Sequence, residues 1–85
     1  MFILKECTLK SEDIDNLYKS IGQNVKKYRE ESGLTQLDLA LLIGHKSVGT
    51  VSTAELYTNR KHFNLEHLAK IANVLDKDIR DLLDT

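Results

Sequence analysis

The sequence predicts an all-α fold, and three observations support this prediction. Apolar residues recur at steps of three and four along most of the chain, which is the spacing of one buried helix face. Segments of useful length that alternate apolar and polar residues are absent, except that residues 1–8 could form an extended arm. Glycines and helix-capping residues punctuate the chain, which contains no proline. We therefore predict an arm at residues 1–10 and a single five-helix domain at residues 11–85.

The first helix is predicted to begin near Ser11 and to end at Gly33. Glu12, Asp13 and Asp15 follow its start, where carboxylates interact favourably with the positive end of the helix dipole. Three basic residues near its end are interpreted as a solvated face: Lys26, Lys27 and Arg29. The buried stripe is predicted to consist of Ile14, Leu17, Tyr18, Ile21, Val25 and Tyr28.

Capping residues predict where the next two helices begin. Thr35 and Asp38 have the spacing of a capping box, in which each side chain accepts a hydrogen bond from the backbone of the other residue. Gly44 supplies a turn after this helix. Ser47 is then the best N-cap for the helix that follows. The two helices are predicted at residues 35–43 and 47–56, the second with Val51 and Ala54 facing inward.

The last two helices also follow capping residues. Asn64 is predicted to cap the fourth helix, and Asp78 with Asp81 to cap a short fifth helix. The fourth helix has the spacing of a buried stripe, and the fifth carries three apolar residues. The stripe consists of Leu65, Leu68, Ile71, Ala72 and Leu75, and the apolar residues of the fifth helix are Ile79, Leu82 and Leu83.

Size and charge narrow the functional classes. An 85-residue chain can form one domain, of a size at which only about 60% of the unfolded surface is buried and a partner subunit would add stability. The net charge is −1, but the charges are unevenly distributed. Residues 45–65 carry Lys46, Glu55, Arg60 and Lys61, whereas four aspartates lie among the last ten residues. One end of the protein is therefore expected to be basic and the other acidic.

Several classes of protein are disfavoured by the residues that the sequence lacks. Cys7 is the single cysteine, so neither an intrachain disulfide nor a zinc site with two cysteines can form. His45, His62 and His67 lack the spacing of metal ligands, and no nucleophile is accompanied by a base. No apolar stretch approaches the roughly 18 residues of a membrane span. We therefore expect no metal, no cofactor, no enzymatic activity and no membrane contact, and a cytoplasmic location.

A series of motifs runs from the first helix to the last. The residues concerned are Ile21, Gly22, Val25, Arg29, Leu34, Thr35, Gln36, Leu39, Ala40, Gly44, Thr50, Val51, Ser52, Glu55, Leu65, Leu68, Ile71, Ala72, Leu75 and Leu82. Each motif alone is unspecific, but their order and spacing resemble those of the Cro and lambda repressor-like (XRE-type) helix-turn-helix transcriptional regulators over roughly residues 20–83. The resemblance implies a five-helix lambda repressor-like DNA-binding domain with a short N-terminal extension.

The resemblance also implies which residues would contact DNA. The third helix would enter the major groove with its first residues, while the second helix and the loop after the third would contact the DNA backbone. The base-reading residues would be Val48, Gly49, Ser52 and Thr53. The phosphate-binding residues would be Thr35, Gln36, Lys46, Ser47, Thr50, Asn59, Arg60 and Lys61. For Lys26, Lys27 and Arg29, a contact with the DNA backbone is the alternative to a solvated face.

The chain departs from the family pattern in ways that affect DNA reading. His45 and Lys46 add one residue to the turn, Tyr57 stands where glycine usually ends the third helix, and no proline precedes the fourth helix. Val48 and Gly49 form few hydrogen bonds with bases. Base readout is therefore expected to depend on thymine methyl contacts, the hydroxyls of the third helix, water bridges or DNA shape.

Two apolar groups suggest contacts with another subunit or protein. Family members often dimerise through their last two helices, so Ile79, Leu82 and Leu83 form either a dimer interface or part of the core. Outward positions of the second helix carry Leu37, Leu41 and Leu42, where the family usually has polar residues. These leucines are either simply exposed or covered by a protein partner, for which the candidate is the arm segment Phe2, Ile3 and Leu4 of the same or a second subunit.

The function implied by the resemblance is that of a sequence-specific double-stranded DNA-binding regulator. We expect a repressor that acts as a homodimer on a two-fold symmetric operator. Small phage repressors, restriction-modification controller proteins and antitoxin-type regulators share this layout. A protein-interaction module that keeps the fold without binding DNA is the alternative, which the net negative charge would allow.

Overall fold

The computed structural model describes residues 3–85, and all regular structure in this range is helical. It contains α1 (Ser11–Glu31), α2 (Gln36–Leu42), α3 (Gly49–Leu56), a 3₁₀ turn (Thr58–Arg60), α4 (Leu65–Val74) and α5 (Ile79–Leu83). The prediction of an all-α, five-helix fold is confirmed.

The predicted caps of α2 and α4 are confirmed. The Asp38 backbone N–H donates to Thr35 Oγ1 at 3.0 Å, and the Thr35 N–H donates to Asp38 Oδ2 at 2.9 Å. Hydrogen bonds to its carboxylate from the Thr35 backbone N–H and, to a smaller extent, from the Thr35 hydroxyl lower the pKa of Asp38. At α4, the His67 N–H donates to Asn64 Oδ1 at 2.7 Å. Both helices therefore begin where their local sequence places a cap.

Two further boundaries follow the same local rules. Gly33 adopts a φ of +73° just after α1 ends, as expected of a glycine that stops a helix. Asp78 caps α5 by accepting a hydrogen bond from the Arg80 backbone N–H at 2.9 Å. The Arg80 side chain and then its backbone N–H hold the pKa of Asp78 at about 2.

The predicted start of α3 is wrong by two residues. Ser47 does not cap this helix, because α3 begins at Gly49 and Val48 occupies the N-cap position without a side-chain hydrogen bond. The helical hydrogen bonds begin with the Ser52 N–H, which donates to the Val48 carbonyl at 2.9 Å. Residues 46–48 form a bend instead. The residue added to the turn thus lengthens the connection before α3.

All five helices contribute side chains to the core, and α1 packs against both α3 and α5. Its fully buried side chains include Val25, Leu39, Val51, Ile71 and Leu82. Gly22 sets the closest approach of α1 to α3. A Cβ atom added there would lie 2.6 Å from the carbonyl oxygens of both Ala54 and Glu55, so only glycine fits this crossing. The orientation of α3 therefore depends on α1.

The structure corrects the predicted role of Leu82. Its side chain is fully buried in the core, so it cannot contribute to a dimer interface. Ile79 is half-buried and packs against the same core. Leu83 is 39% exposed and is accessible to a second subunit.

The structure also corrects the predicted packing of the arm. Ile3 and Leu4 are 92% and 90% exposed, so they do not cover Leu37 or Leu41 of the same chain. Phe2, the third residue of the predicted arm contact, lies outside the described residues. Leu37, Leu41 and Leu42 are all exposed, with 48%, 54% and 56% of their surfaces accessible.

Candidate nucleic-acid interface

A surface groove runs along the first turns of α3 and the loop that follows this helix. It is lined by Ser47, Gly49, Thr50, Thr53, Ala54, Arg60, Lys61 and His62. Six of these residues belong to the predicted DNA-contacting set: Ser47, Gly49, Thr50, Thr53, Arg60 and Lys61. The fold therefore brings residues from the turn before α3, from α3 and from the loop after it to one surface.

The exposed charged residues of the segment 45–65, which forms this groove, all have one sign. Of the four charged residues in 45–65, Lys46, Arg60 and Lys61 are exposed, whereas Glu55 is buried at 2% exposure. Its carboxylate faces the interior, where Arg29 balances its charge. The surface formed by residues 45–65 is therefore more basic than their sequence suggests, as a phosphate-binding surface requires.

Arg29 and Glu55 form a buried pair with two hydrogen bonds. Arg29 Nε donates to Glu55 Oε2 at 2.7 Å, and Nη2 donates to Oε1 at 3.0 Å. Arg29 Nη1 also donates to the Leu34 carbonyl at 2.8 Å. The hydrogen bond to Glu55 is the main reason why the pKa of Arg29 is raised. The interpretation of Arg29 as part of a solvated face is therefore wrong, because this residue joins α1 to α3.

Gln36 belongs to the same buried network. Its side-chain Nε2 donates to Glu55 Oε1 at 3.0 Å. One N–H of the amide group that the resemblance assigns to a phosphate thus makes a part-buried hydrogen bond within the protein, which links α2 to α3. Since the first N–H groups of a helix have no partner within it, the backbone amides at the start of α2 remain the donors available there.

Two hydroxyls of α3, those of Ser52 and Thr53, donate to their own helix. Ser52 Oγ donates to the Gly49 carbonyl at 3.1 Å, and Thr53 Oγ1 donates to the same oxygen at 2.8 Å. A hydroxyl whose hydrogen is used in this way keeps its lone pairs as acceptors. Val48 is 37% exposed beside them, and Gly49 adds no side chain. The beginning of α3 therefore offers acceptors and one apolar side chain.

The loop after α3 contains three non-glycine residues with left-handed backbone. These are Tyr57, Asn59 and Arg60, with φ values of 58°, 53° and 61°. Tyr57 ends α3 where the family usually has glycine. Its ring is buried, and its hydroxyl donates to Asp15 Oδ1 at 2.7 Å, which raises the pKa of Tyr57. This tertiary contact holds a conformation that glycine would adopt freely.

Two residues near the groove were not among those predicted to act there. Asp15 had no assigned role beyond the first turns of α1, and Tyr18 was assigned only to its buried stripe. The sequence signal available was the i, i+3 spacing of these two residues, which places them on one face of α1. Nothing in the local sequence indicated that this face meets the loop after α3.

The structure of residues 3–85 also describes the metal-binding side chains, the histidines and the apolar length of the helices. In this part of the chain, no group of three metal-binding side chains is close enough to hold a metal ion. The histidines His45 and His67 have ring centroids 5.2 Å apart. Burial, and then the neighbouring His45, lower the pKa of His67. No helix among the described residues is long and apolar enough to cross a membrane.

Comparison with known proteins assigns the family. The family model described as Helix-turn-helix matches residues 25–82, which is more than half of the chain. The match includes α2, α3, α4 and the groove described above. No curated protein matches the sequence. The chain therefore belongs to the helix-turn-helix family of Cro and C1-type DNA-binding regulators.

Proposed function

We propose that this protein is a transcriptional repressor that binds a specific double-stranded DNA sequence as a homodimer. It occupies a two-fold symmetric operator in the cytoplasm and blocks the promoter there. The observation that carries the proposal is the groove at the start of α3, around which the exposed charged residues of 45–65 are all basic. Basic side chains that flank a helix able to enter the major groove are the arrangement that DNA binding requires.

Base reading is assigned to Val48, Gly49, Ser52 and Thr53. Val48 offers an apolar contact for a thymine methyl group, and Gly49 lets the helix start approach the base edges closely. Ser52 and Thr53 act as acceptors, since their hydroxyls already donate to the Gly49 carbonyl. Acceptors in the major groove pair with the amino groups of adenine or cytosine. We therefore expect half-sites with such a base beside a thymine.

Phosphate binding is assigned to both sides of this helix. The residues are Lys46, Ser47 and Thr50 on the side of the turn, and Asn59, Arg60 and Lys61 in the loop. At the start of α2 the assignment rests on Thr35 and on the backbone N–H of Gln36, because the Gln36 side chain donates to Glu55. These contacts position the protein on the duplex and carry no sequence information.

Dimerisation is assigned first to the exposed edge of α5. Leu83 and the accessible part of Ile79 are its candidates, without Leu82. One recognition helix reads only a few base pairs, so a second subunit is needed to cover a two-fold operator. The exposed leucines of α2, Leu37, Leu41 and Leu42, are the candidate surface for the arm of a second subunit, whose Ile3 and Leu4 are exposed in the single chain.

The test of this function begins with selection of bound duplexes from a random DNA pool. We expect enrichment of a two-fold symmetric site whose half-sites lie about one helical turn apart. Affinity for that site should fall steeply with added salt. In Lys61→Ala, affinity should fall. The salt slope, which is the steepness with which the logarithm of the binding constant falls with the logarithm of the salt concentration, should decrease by about 1 for each bound subunit, because one phosphate contact is lost.

Lys70→Ala is the matched control for this test. Lys70 is an exposed lysine of α4 that pairs with Glu66 at 3.7 Å, and it has no place in the groove. Its variant removes the same charge and should keep nearly the wild-type salt slope. If no DNA sequence is enriched, and if Lys61→Ala and Lys70→Ala do not differ in DNA binding, the results would instead support a protein-interaction module.

A further inference from the structure

We propose that Asp15 of α1 is a positioning residue that holds Arg60 against the DNA backbone. This inference rests on the proposed function and adds a residue outside the range that matches the family model. The carboxylate of Asp15 contacts two residues at the end of α3 and in the loop that follows it, Tyr57 and Arg60. Through this contact, the N-terminal half of α1 would fix the geometry of a phosphate-binding side chain on another part of the chain.

A single oxygen of Asp15 contacts residues at both ends of the 3₁₀ turn. Tyr57 Oη donates to Asp15 Oδ1 at 2.7 Å, and Arg60 Nη2 lies 3.4 Å from the same atom. Tyr57 is the residue that ends α3, and Arg60 ends the 3₁₀ turn. Both of these residues have left-handed backbone. Such backbone in residues other than glycine persists only where surrounding contacts hold it.

Aromatic stacking supports the same contact surface. The Tyr18 ring lies one turn after Asp15 on α1 and stacks on the Tyr57 ring, with centroids 5.8 Å apart and planes at 22°. It also stacks on the His62 ring, at 3.8 Å and 12°. Tyr57 and His62, which lie on either side of the Asn59–Lys61 segment, therefore both pack against Tyr18 of α1. This arrangement limits the positions that the loop can adopt before DNA binds.

The exposure of the two charged side chains indicates that Asp15 positions Arg60 and does not compete with a DNA phosphate for it. Arg60 is 66% exposed, whereas Asp15 is only 27% exposed. A guanidinium has five N–H donors, and its contact with Asp15 is made through Nη2 at 3.4 Å. Arg60 can therefore remain paired with Asp15 while its exposed donors bind a phosphate. Preorganisation of this kind lowers the cost of ordering a long side chain on binding.

The test compares Asp15→Asn with Glu12→Gln. Both variants remove one negative charge from the first turns of α1, but Glu12 is exposed and makes no contact with Arg60. Binding is measured by fluorescence anisotropy over a range of salt concentrations. The probe is a fluorescein-labelled duplex of about 24 base pairs that contains the selected site, long enough for two half-sites.

Asp15→Asn is expected to weaken binding by about two- to fivefold, the range typical of a partly exposed ion pair, and to decrease the salt slope. Glu12→Gln is expected to leave affinity unchanged or to raise it. In an Arg60→Ala background, Asp15→Asn should have no further weakening effect, since the residue it positions is absent. Thermal unfolding of each variant checks that the fold is retained.

Tyr57→Phe provides a second test at constant charge. It removes the hydroxyl that Asp15 accepts, and it should weaken binding in the wild-type background only. Tyr28→Phe is its control, because Tyr28 lies against Lys27 and Lys77 and away from Asp15. We therefore expect Tyr57→Phe to lower the affinity for DNA and Tyr28→Phe to leave it unchanged.

Three results would overturn the inference. The first is an equal change of affinity in Asp15→Asn and Glu12→Gln, which would mean that only net charge matters. The second is an undiminished effect of Asp15→Asn in the Arg60→Ala background. The third is no effect of Arg60→Ala itself while Lys61→Ala weakens binding, which would leave the proposed function standing. Absence of DNA binding by the wild-type protein would instead overturn the proposed function together with this inference.

Discussion

Glu55 joins three helices at a buried site beneath the groove surface of α3. Its carboxylate accepts hydrogen bonds from Arg29 and from Gln36, so residues of α1, α2 and α3 meet at one buried charge. Burial of a charge is costly, and only a partner with good geometry offsets the cost. The network therefore fixes α2 and α3 relative to each other while keeping a negative charge away from the groove.

Replacement of Glu55 tests this network. Glu55→Ala leaves Arg29 buried without its carboxylate, and we expect a loss of about 3–5 kcal/mol in the free energy of unfolding. Urea denaturation followed by circular dichroism measures this loss. Glu30→Ala is the control. Glu30 also carries a carboxylate near Arg29, with Oε1 3.8 Å from Nη2, but its side chain is exposed. A similar small effect of the two substitutions would show that the buried pair contributes little.

At the scale of helices, the α1–α3 crossing decides how the recognition helix is presented. Gly22 permits this crossing because the carbonyl oxygens of Ala54 and Glu55 occupy the space where a Cβ atom would lie. The glycine is part of the family motif, and the structure supplies its physical reason. Contact with a backbone leaves little room for adjustment by side-chain rotation.

Gly22→Ala should therefore destabilise the protein and displace α3. We expect a loss of about 1–3 kcal/mol, the usual cost of overpacking, and a decrease in affinity for the selected duplex. Thermal unfolding and anisotropy measure these two effects. Gly49→Ala is the control for the fold, because a Cβ atom at Gly49 would have only the Ser47 hydroxyl at 4.0 Å nearby. Equal stability of both variants would contradict this account of the crossing.

At the scale of the whole molecule, the exposed basic residues of 45–65 and the aspartates of the last ten residues lie on different elements. Lys46, Arg60 and Lys61 lie around the groove, whereas aspartates are concentrated in the last ten residues, around α5. An acidic end near the proposed dimer edge would be repelled by DNA and would favour one orientation on the duplex. The separation is consistent with a protein that binds DNA on one side and a second subunit on another.

The dimer proposal predicts a specific effect at Leu83. Leu83→Asp places a charge in the proposed interface and should raise the dimer dissociation constant by about tenfold or more, since an unpaired buried charge costs more than the equivalent 1.4 kcal/mol. Analytical ultracentrifugation measures the constant. Leu65→Asp is the control, because Leu65 is 69% exposed at the start of α4. An unchanged constant in Leu83→Asp would exclude α5 as the interface.

Local patterns were sufficient to predict most of the helices. Apolar spacing and caps such as Thr35 with Asp38 act within a few residues, so α1, α2, α4 and α5 could be located from the sequence. The start of α3 was missed because Ser47 satisfies the local preference for an N-cap, while the longer turn and the packing of α3 against α1 decide where the helix begins. A strong local preference was thus overridden by tertiary context.

The sequence by itself determined the helical class and the family, and it predicted a set of residues that could face DNA, since these depend on composition, spacing and order along the chain. Only the tertiary structure decided that Arg29 and Gln36 turn inward to Glu55, that Leu82 is core, and that Asp15 meets Tyr57 and Arg60. Asp15 and Tyr57 are 42 positions apart, and Arg29 and Glu55 are 26 apart. Contacts between such distant residues depend on how the helices pack, and no local pattern encodes that arrangement.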